Sequence, residues 1–361
     1  MLFRLCAFDK AHTHTVISLT SYGKYGPQLR EKGIETIALN LGPTLPSLVG
    51  FFKLLFLLRS RKPNVVQTWM YHADFLGGIA ARVVGVKALV WGVRASFLEP
   101  QTSSRLTVLL VKLLAKLSSK LPSLVAVCAQ RGIDFHQKFG YQRDKMRFVP
   151  NGYDFSDFFP RTGSTNSLRE NLKLERGTAL IGMVARFDSY KDHSNLLQAL
   201  AILGKKGIDV KCMLVGAGLD NQNINLLSKI QRLCLQDKVI LLGASDDISS
   251  IMRGLDLHVL SSLSEGFPNV VAEAMACGTP CVVTDVGDAA FIVGDTGWVV
   301  PPCNSDALAA AIEDALIEKK STAWNTRCVA ARNRIVQNFS IEKMVENYHE
   351  IWKEAILFNL R

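Results

Sequence analysis

A chain of 361 residues with 48% hydrophobic and 20% charged residues is long enough for two folded domains and too apolar for a largely disordered protein. Its formal net charge of +10 predicts an anionic partner, such as a phosphorylated substrate or an acidic lipid surface. Nucleic acid is the least favoured partner, because aromatic residues do not interleave with the basic ones and no nucleic-acid-binding motif is present.

The cysteines and the apolar runs indicate a cytoplasmic protein. The eight cysteines are scattered and form no C-x-x-C pair, which favours buried thiols in a reducing compartment over a zinc site. Arg4, Asp9 and Lys10 interrupt the opening apolar residues, so no signal peptide is predicted. The longest apolar runs, 48–58 and 106–117, are shorter than the roughly 20 residues that span a bilayer. We therefore expect a protein that is at most peripheral at the inner face of the plasma membrane.

The first half of the chain alternates between helical and strand patterns, which predicts an α/β domain with a parallel sheet. Residues 1–10 have helical spacing and precede a strand at 15–19. Because a doubly wound domain ordinarily opens with a strand and a glycine-rich turn, we expect that first strand to be missing, which would put activity in doubt. Further predicted strands are 35–39, 63–67, 88–91, 123–128 and 146–149; further predicted helices are 25–32, 75–84, 103–120 and 131–139.

Two predicted loops of this domain, 68–74 and 92–99, follow strands and carry candidate functional residues. His72 lies in the first loop, and the alternative interpretation is a buried structural histidine. Arg94 lies in the second loop, directly after a buried strand, and we expect it to have an anionic partner.

The predicted helix 103–120 combines leucines with a basic stripe formed by Arg105, Lys112, Lys116 and Lys120. Cations beside an apolar face are typical of a helix that lies on an anionic membrane surface. The alternative is a helix packed in the core with a solvated basic edge.

The second domain opens with a strand at 179–184, after a polar linker at 155–173. The resulting domains are 1–158 with the terminal helix 341–361, and 174–340. Arg186 and Lys191 follow the strand and precede a helix, an arrangement that predicts an anion clamp; the alternative is an ordinary pair of surface cations. A later strand, 239–242, leads into Gly243 and Ser245.

The stretch 261–302 combines a phosphate-binding pattern with two carboxylates. A strand at 255–260 leads through a loop into a helix at 269–277, and a second strand follows at 280–284. The amides at the helix start favour a phosphate, whereas Glu265 and Glu273 would accept hydrogen bonds from hydroxyls. A ligand with a phosphate between hydroxyl-bearing groups is typically a nucleotide-sugar. The alternative is that Glu265 only caps the helix and Glu273 is solvated.

The sequence E-G-F-P-N-V-V-A-E-A-M-A-C-G-T-P-C-V-V-T-D-V-G, which begins at Glu265, resembles the E-x7-E signature of the family-4 retaining glycosyltransferases, and the resemblance extends over most of the chain. It implies the GT-B fold: two Rossmann-like doubly wound α/β domains facing a central cleft, with a C-terminal helix crossing back to the N-terminal domain. The turn P-N-G-Y-D at 150–154 resembles a family marker at that cleft, which assigns Asn151 to the acceptor side with His72.

The resemblance also implies roles for the candidate residues. Arg186 and Lys191 would grip the donor diphosphate, and Asp192 stands where the family usually has glycine. Glu265 would orient the sugar, Glu273 would hold the ribose, and Arg94 replaces a catalytic histidine. The remaining donor-site residues are Gly243, Ser245, Gly266, Phe267, Pro268, Asn269 and Val270.

The resulting hypothesis is a retaining transfer from a nucleoside diphosphate sugar, for which we expect the UDP type, to a lipid-linked or saccharide acceptor during synthesis of a cell-surface polysaccharide such as lipopolysaccharide. The sequence shows no D-x-D at a strand end and no histidine–carboxylate cluster, so we expect no metal and no cofactor besides the co-substrate. Three alternatives remain open: a nucleotide-sugar epimerase, an inactive donor-binding protein, and an enzyme with a soluble acceptor.

Overall fold

The computed structural model describes residues 1–42, 48–95, 104–160, 167–175 and 177–358. The chain forms two compact units, one of Met1–Gly152 with Ile341–Arg361 and one of Tyr153–Ser340. Residues 153–158, which the sequence analysis assigned to the first domain, therefore lie in the second unit. Residues 96–99 of the predicted loop 92–99 lie outside the described residues.

The first unit contains parallel strands and the helices that connect them. Its elements are α1 (Leu2–Phe8), β1 (Thr15–Ser18), α2 (Tyr25–Glu31), β2 (Glu35–Ala38), α3 (Leu48–Arg61), β3 (Val65–Gln67), α4 (Tyr71–Val83), β4 (Ala88–Val93), α5 (Arg105–Leu117), β5 (Leu124–Val127), α6 (Gln130–Lys138), β6 (Met146–Phe148) and α15 (Ile341–Phe358). Strands β1 and β2 pair with each other, and a second sheet has the order β3-β4-β5-β6. All of these pairs are parallel.

The terminal helix α15 covers one face of the four-stranded sheet. Successive side chains of a strand point to opposite faces, and in β4 Ala88 and Val90 contact the cluster that includes α15 whereas Leu89 and Trp91 face the other core. The buried residues of α15 include Met344, Tyr348, Ile351 and Trp352. These residues recur every three or four positions and form one face of the helix, whereas Ile356 is exposed.

The second unit is a six-stranded parallel sheet with helices. Its elements are α7 (Ser167–Asn171), β7 (Ala179–Val184), α8 (His193–Lys205), β8 (Val210–Val215), α9 (Ile224–Arg232), β9 (Val239–Gly243), α10 (Ile248–Gly254), β10 (Leu257–Leu260), α11 (Asn269–Ala276), β11 (Cys281–Thr284), α12 (Ala289–Val293), β12 (Trp298–Val300), α13 (Ser305–Glu318) and α14 (Ala323–Asn338). The strand order is β12-β11-β10-β7-β8-β9. Each neighbouring pair is parallel.

The side on which the chain adds strands to this sheet changes between β9 and β10, so that the reversal point lies between β7 and β10. The chain builds β7, β8 and β9 outward on one side, then returns to place β10, β11 and β12 on the other. Strands β7 and β10 are therefore neighbours, in the register Leu257 to Ile181. The loops that follow these two strands leave the same edge of the sheet. Open parallel sheets bind their ligands at such a reversal.

Two further expectations can be compared with the structure. No helix among the described residues is both long and apolar enough to cross a membrane. Four of the cysteines are buried, at positions 128, 212, 277 and 281, whereas Cys234 and Cys303 are exposed. The expectation of buried thiols is therefore wrong for those two exposed residues.

Gly216 gives a test of the close packing between β7 and β8. Its φ is +148°, and a Cβ added there would lie 2.0 Å from the carbonyl oxygen of Ala185. Gly216→Ala should therefore lower the free energy of unfolding by more than the ~1–2 kcal/mol that a left-handed backbone costs a residue with a Cβ. Gly207→Ala is the control, because Gly207 has a φ of +74° but no atom within 4 Å of the added Cβ. Urea denaturation should show the larger loss in unfolding free energy for Gly216→Ala; equal losses would contradict this packing.

Candidate functional site

The loops after β7 and β10 are joined by an ion pair. Lys191 Nζ donates to Glu265 Oε1 over 2.5 Å, and the Ser262 hydroxyl donates to the same oxygen over 2.7 Å. The side chains of Lys191 and Glu265 are only 22% and 11% exposed. Removing either partner would leave the other charge largely shielded from water and uncompensated, which is costly. The pair therefore holds a cation and an anion in place at the switch point of the sheet.

Backbone contacts fix the same two loops. The amide of Leu263 donates to the carbonyl oxygen of Tyr190 over 2.7 Å. The hydroxyl of Ser261 lies 3.0 Å from the carbonyl oxygens of both Lys191 and Asp192. Because Ser261 is fully buried, these contacts form away from solvent. The position of Lys191 thus depends on the loop that carries Glu265.

Arg186 is held at the surface of the loop after β7. Its Nε donates to Asp188 Oδ2 over 3.0 Å, and its side chain is 69% exposed. Asp188 also accepts from the amide of Tyr190, which starts the 3-10 turn Ser189–Lys191. The guanidinium of Arg186 is therefore oriented by one carboxylate but remains available to a solvent-borne anion.

Asp192 occupies a position where the backbone is left-handed. Its φ is +44°, and its carboxylate caps α8 by accepting from the amide of Asn195 over 3.1 Å. Glycine adopts this conformation without strain, and aspartate is among the few other residues that tolerate it. The structure thus explains how Asp192 can replace the glycine expected there, and it adds a helix cap.

The start of α11 forms the other side of the site. Pro268, which has no N–H, precedes Asn269, and the hydroxyl of Tyr153 donates to Asn269 Oδ1 over 2.8 Å. The N–H groups and the dipole at a helix N-terminus favour an anion. Glu273 lies in the next turn and is half-buried. The predicted helix 269–277 is confirmed to within one residue.

The loop after β11 supports the loop that carries Glu265. Gly287 has a φ of +52°, and a Cβ there would lie 2.4 Å from the carbonyl oxygen of Glu265 and 2.5 Å from that of Gly266. The amide of Asp288 donates to Gly266 over 2.9 Å. Sequence reasoning did not identify Gly287, although its place in the glycine-containing turn after a buried strand is a signal for close backbone approach.

Gly243 and Ser245 lie at the end of β9. The carbonyl oxygen of Gly243 accepts from the amide of Gly216 over 2.8 Å, and its own amide donates to Leu219 over 2.9 Å. Ser245 Oγ accepts from the amide of Asp247 over 3.2 Å. These contacts order a turn at the same edge of the sheet, since β8 and β9 are parallel to β7.

Together these loops place two cations, a helix N-terminus and two carboxylates at one edge of the second unit. Lys191 and Glu265 are in direct contact, Arg186 shares the loop of Lys191, and residues 266–270 connect Glu265 to the helix of Glu273. The cations and amides can neutralise a phosphate, and the carboxylates can accept from hydroxyls. Ser261 and Ser262, which sequence reasoning missed, hold this arrangement from the end of β10.

In the first unit, Arg94 and Asn151 are in contact. Arg94 Nη2 donates to the Asn151 side-chain oxygen, and its guanidinium carbon lies 5.1 Å from the ring centre of Trp69. This contact does not provide the expected anionic partner, because the amide oxygen is neutral and leaves the positive charge of Arg94 uncompensated. His72 is exposed in the first turn of α4. The prediction that His72 lies in a loop is therefore wrong, and so is the alternative that it is a buried structural histidine.

The buried polar group near His72 is Asp74. It is fully buried, and its Oδ1 accepts from the Thr68 hydroxyl over 2.5 Å and from the Gly92 amide over 3.3 Å. Burial raises the pKa of Asp74 to about 7. Asp74 links the ends of β3 and β4, a structural role that its sequence position alone did not reveal.

Comparisons with known proteins match both halves of the chain. The family described as "Glycosyltransferase Family 4" matches residues 5–157, and the family described as "Glycosyl transferases group 1" matches residues 164–330. In the solved structure of HepE from Anabaena in complex with UDP, the alignment covers 97% of this chain and 94% of that one, with a TM-score of 0.84 and 23% identity. This likeness shows the fold.

Curated relatives cover nearly the same extent. The chain is 25% identical over 340 residues to the Escherichia coli UDP-Gal:alpha-D-GlcNAc-diphosphoundecaprenol alpha-1,3-galactosyltransferase, across 90% of this chain and 84% of that protein. It is also 25% identical over 325 residues to the capsular polysaccharide biosynthesis glycosyltransferase CapM of Staphylococcus aureus, across 85% of this chain and 82% of that protein. With both family matches and the two parallel-sheet units, the chain belongs to the group 1 glycosyltransferases of the GT-B type.

Proposed function

We propose that the protein transfers a sugar from a UDP-sugar to a saccharide carried on a polyprenyl diphosphate, with retention of the anomeric configuration, in cell-surface polysaccharide assembly. The Lys191–Glu265 contact at the sheet reversal is the observation that carries this proposal. The substrate class is supported by relatives in E. coli and S. aureus, whose names describe a lipid-linked acceptor and capsular polysaccharide. The UDP complex of the Anabaena structure supports the choice of nucleotide.

In the proposed reaction, the bond between the anomeric carbon and the β-phosphate oxygen breaks and the acceptor oxygen bonds to the same face of that carbon. The acceptor proton passes to the departing phosphate. Lys191, Arg186 and the first amides of α11 stabilise the negative charge that develops on the diphosphate. We propose that these groups take the role of a metal ion in this transfer.

The carboxylates act on hydroxyl groups of the donor in this proposal. Glu265 is already oriented by Ser262 and Lys191, and its remaining acceptor capacity is directed to hydroxyls of the transferred sugar. Glu273, one to two turns into α11, accepts from the ribose. Asn151 and His72 of the first unit are proposed to face the acceptor, and Arg94 to contact a phosphate or the sugar.

The membrane-surface interpretation of α5 gains support from exposed apolar side chains. Leu106, Leu109 and Leu113 are 78%, 64% and 40% exposed, whereas Val111 and Leu114 of the same helix are fully buried. Lys112 and Lys116 are exposed beside these leucines. Helix α3 of the same unit likewise exposes Leu48, Val49, Phe52 and Phe56. We propose that these two helices contact an anionic bilayer that holds the lipid-linked acceptor.

Lys191→Ala tests the diphosphate role. Losing one charge-assisted contact of ~1.5–3 kcal/mol should lower kcat/KM for the UDP-sugar roughly 10- to 150-fold. Initial rates with a polyprenyl-diphosphate saccharide acceptor measure the effect. Lys206→Ala is the control, because Lys206 forms a comparable pair with Glu313 on the surface of the same unit. Equal activity of the two variants would contradict the assignment, and NMR of the products would reveal an epimerase or transfer to a free sugar.

Glu273→Ala tests the ribose contact. The variant should raise the KM for the donor while kcat changes little, because the lost interaction is made equally in the ground and transition states. Calorimetry with UDP and 2′-deoxy-UDP localises the effect: the substitution should weaken UDP binding more than 2′-deoxy-UDP binding. Equal losses for the two nucleotides would place the Glu273 contact elsewhere than on the 2′-hydroxyl.

Lys112/Lys116/Lys120→Glu tests the membrane surface. At about 1 kcal/mol per basic residue, this variant should lose at least ~100-fold in affinity for phosphatidylglycerol vesicles. The control Lys205/Lys206/Lys320→Glu changes the net charge equally at exposed positions of the second unit. In vesicle sedimentation, the control variant should bind phosphatidylglycerol vesicles as tightly as the wild type does. Neither protein should bind zwitterionic vesicles. If both triple variants bind anionic vesicles equally well, α5 is not the contact surface.

A further inference from the structure

The first unit contains a cluster of three histidines around one buried carboxylate. Asp9 follows α1, His12 and His14 precede β1, and His349 lies in α15. His12 Nδ1 and His14 Nε2 lie 3.0 and 2.9 Å from Asp9 Oδ2, and His349 Nε2 lies 3.0 Å from Asp9 Oδ1. This cluster was not predicted from the sequence, because His349 is 340 positions from Asp9 along the chain.

The possible ligand atoms of Asp9, His12 and His349 lie close together. Each pair of these atoms is within 4.8 Å, and the edge of a tetrahedral zinc site with bonds of 2.0–2.1 Å is about 3.3–3.4 Å. The imidazole rings of His12 and His349 have centroids 4.5 Å apart. Small rotations of the half-exposed His12 side chain, which is 45% exposed, would close the remaining distance.

Hydrogen bonding alone does not account for this arrangement. Among the residues that the structure describes, His349 Nε2 is shielded from solvent and makes no aligned hydrogen bond, although the Asp9 carboxylate is 3.0 Å away. A divalent cation bound by Asp9, His12 and His349 would give this buried nitrogen a partner.

The carboxylate is prepared to act as a ligand. The Asp9 side chain is completely buried, and its Oδ1 accepts from the Ala11 amide over 2.9 Å. Histidine nitrogens lie against both oxygens of this carboxylate, at 2.9 to 3.0 Å.

We propose that Asp9, His12 and His349 bind one divalent transition-metal ion, with Zn²⁺ as the best match. Imidazole and carboxylate are the ligand types that zinc accepts, and three protein ligands leave a fourth position for water. His14 is a positioning residue, because it holds the ligating carboxylate through a hydrogen bond. The site contains none of the residues assigned to donor or acceptor, so it does not rest on the proposed transferase activity.

Such an ion would connect the segment after α1 to the terminal helix α15. These elements already contact each other within the first unit. Since a ligand that binds only the folded state stabilises it by mass action, bound zinc would anchor α15 to this unit. The role inferred for the site is therefore structural.

Calorimetry with ZnCl₂ on the full chain, free of affinity tags and treated with EDTA, tests the proposal. We expect one equivalent of Zn²⁺ to bind and to release protons on binding. His14→Ala should weaken binding by roughly 10- to 100-fold, the usual cost of losing a partner of a ligand. His12→Ala should weaken it further, because it removes a ligand itself.

His72→Ala is the matched control, because His72 is an exposed histidine of the same unit outside the cluster; its zinc affinity should equal that of the wild type. Thermal unfolding gives a second measurement: zinc should raise the Tm of the wild type and His72→Ala but not of His12→Ala. The visible absorption of bound Co²⁺ should disappear in His12→Ala. The proposal is overturned if the wild type binds no zinc, or if His12→Ala and His72→Ala bind it equally.

Discussion

The site in the second unit depends on the contact between Lys191 and Glu265. These side chains come from loops 74 residues apart, and both are largely withdrawn from solvent. A half-buried pair of this kind is stable only when each charge keeps its partner, so the contact fixes the two loops against each other. It also sets the chemistry of the site, because a lysine beside a helix N-terminus attracts a phosphate whereas the glutamate can accept from hydroxyls.

The strand order explains why these loops meet. Because β10 returns to the side of β7 opposite β8, the loops after β7 and β10 leave the sheet as neighbours, and the buried Ser261 completes their connection. Asp192 and Gly287 then satisfy two backbone requirements, a left-handed residue before α8 and a close approach to the Glu265 carbonyl oxygen. Topology brings the segments together, and a few small or polar residues determine their final positions.

Much of this could be predicted from the sequence, for reasons visible in particular residues. Local patterns specified the terminal helix at 341–358 and the helix after Pro268, since apolar spacing and turn residues act over short distances. The family-4 resemblance identified Glu265 and Lys191. Contacts between distant segments were not predictable. Ser262 has no distinctive local signal, and the turn that contains Gly287 does not reveal which backbone segment it approaches. Arg94 reaches Asn151 57 residues away, and His349 joins Asp9 only after folding. The placement of His72 failed because α4 starts at Tyr71, earlier than its apolar pattern indicates.

The central claim is that the diphosphate of the donor occupies the space beside Lys191 at the start of α11. A crystal structure of the protein with bound UDP tests this most directly. We expect phosphate oxygens within about 3 Å of Lys191 Nζ and of amide nitrogens in the segment 267–270, with Glu265 still oriented by Ser262. A UDP molecule whose phosphates contact neither Lys191 nor this segment would contradict the account.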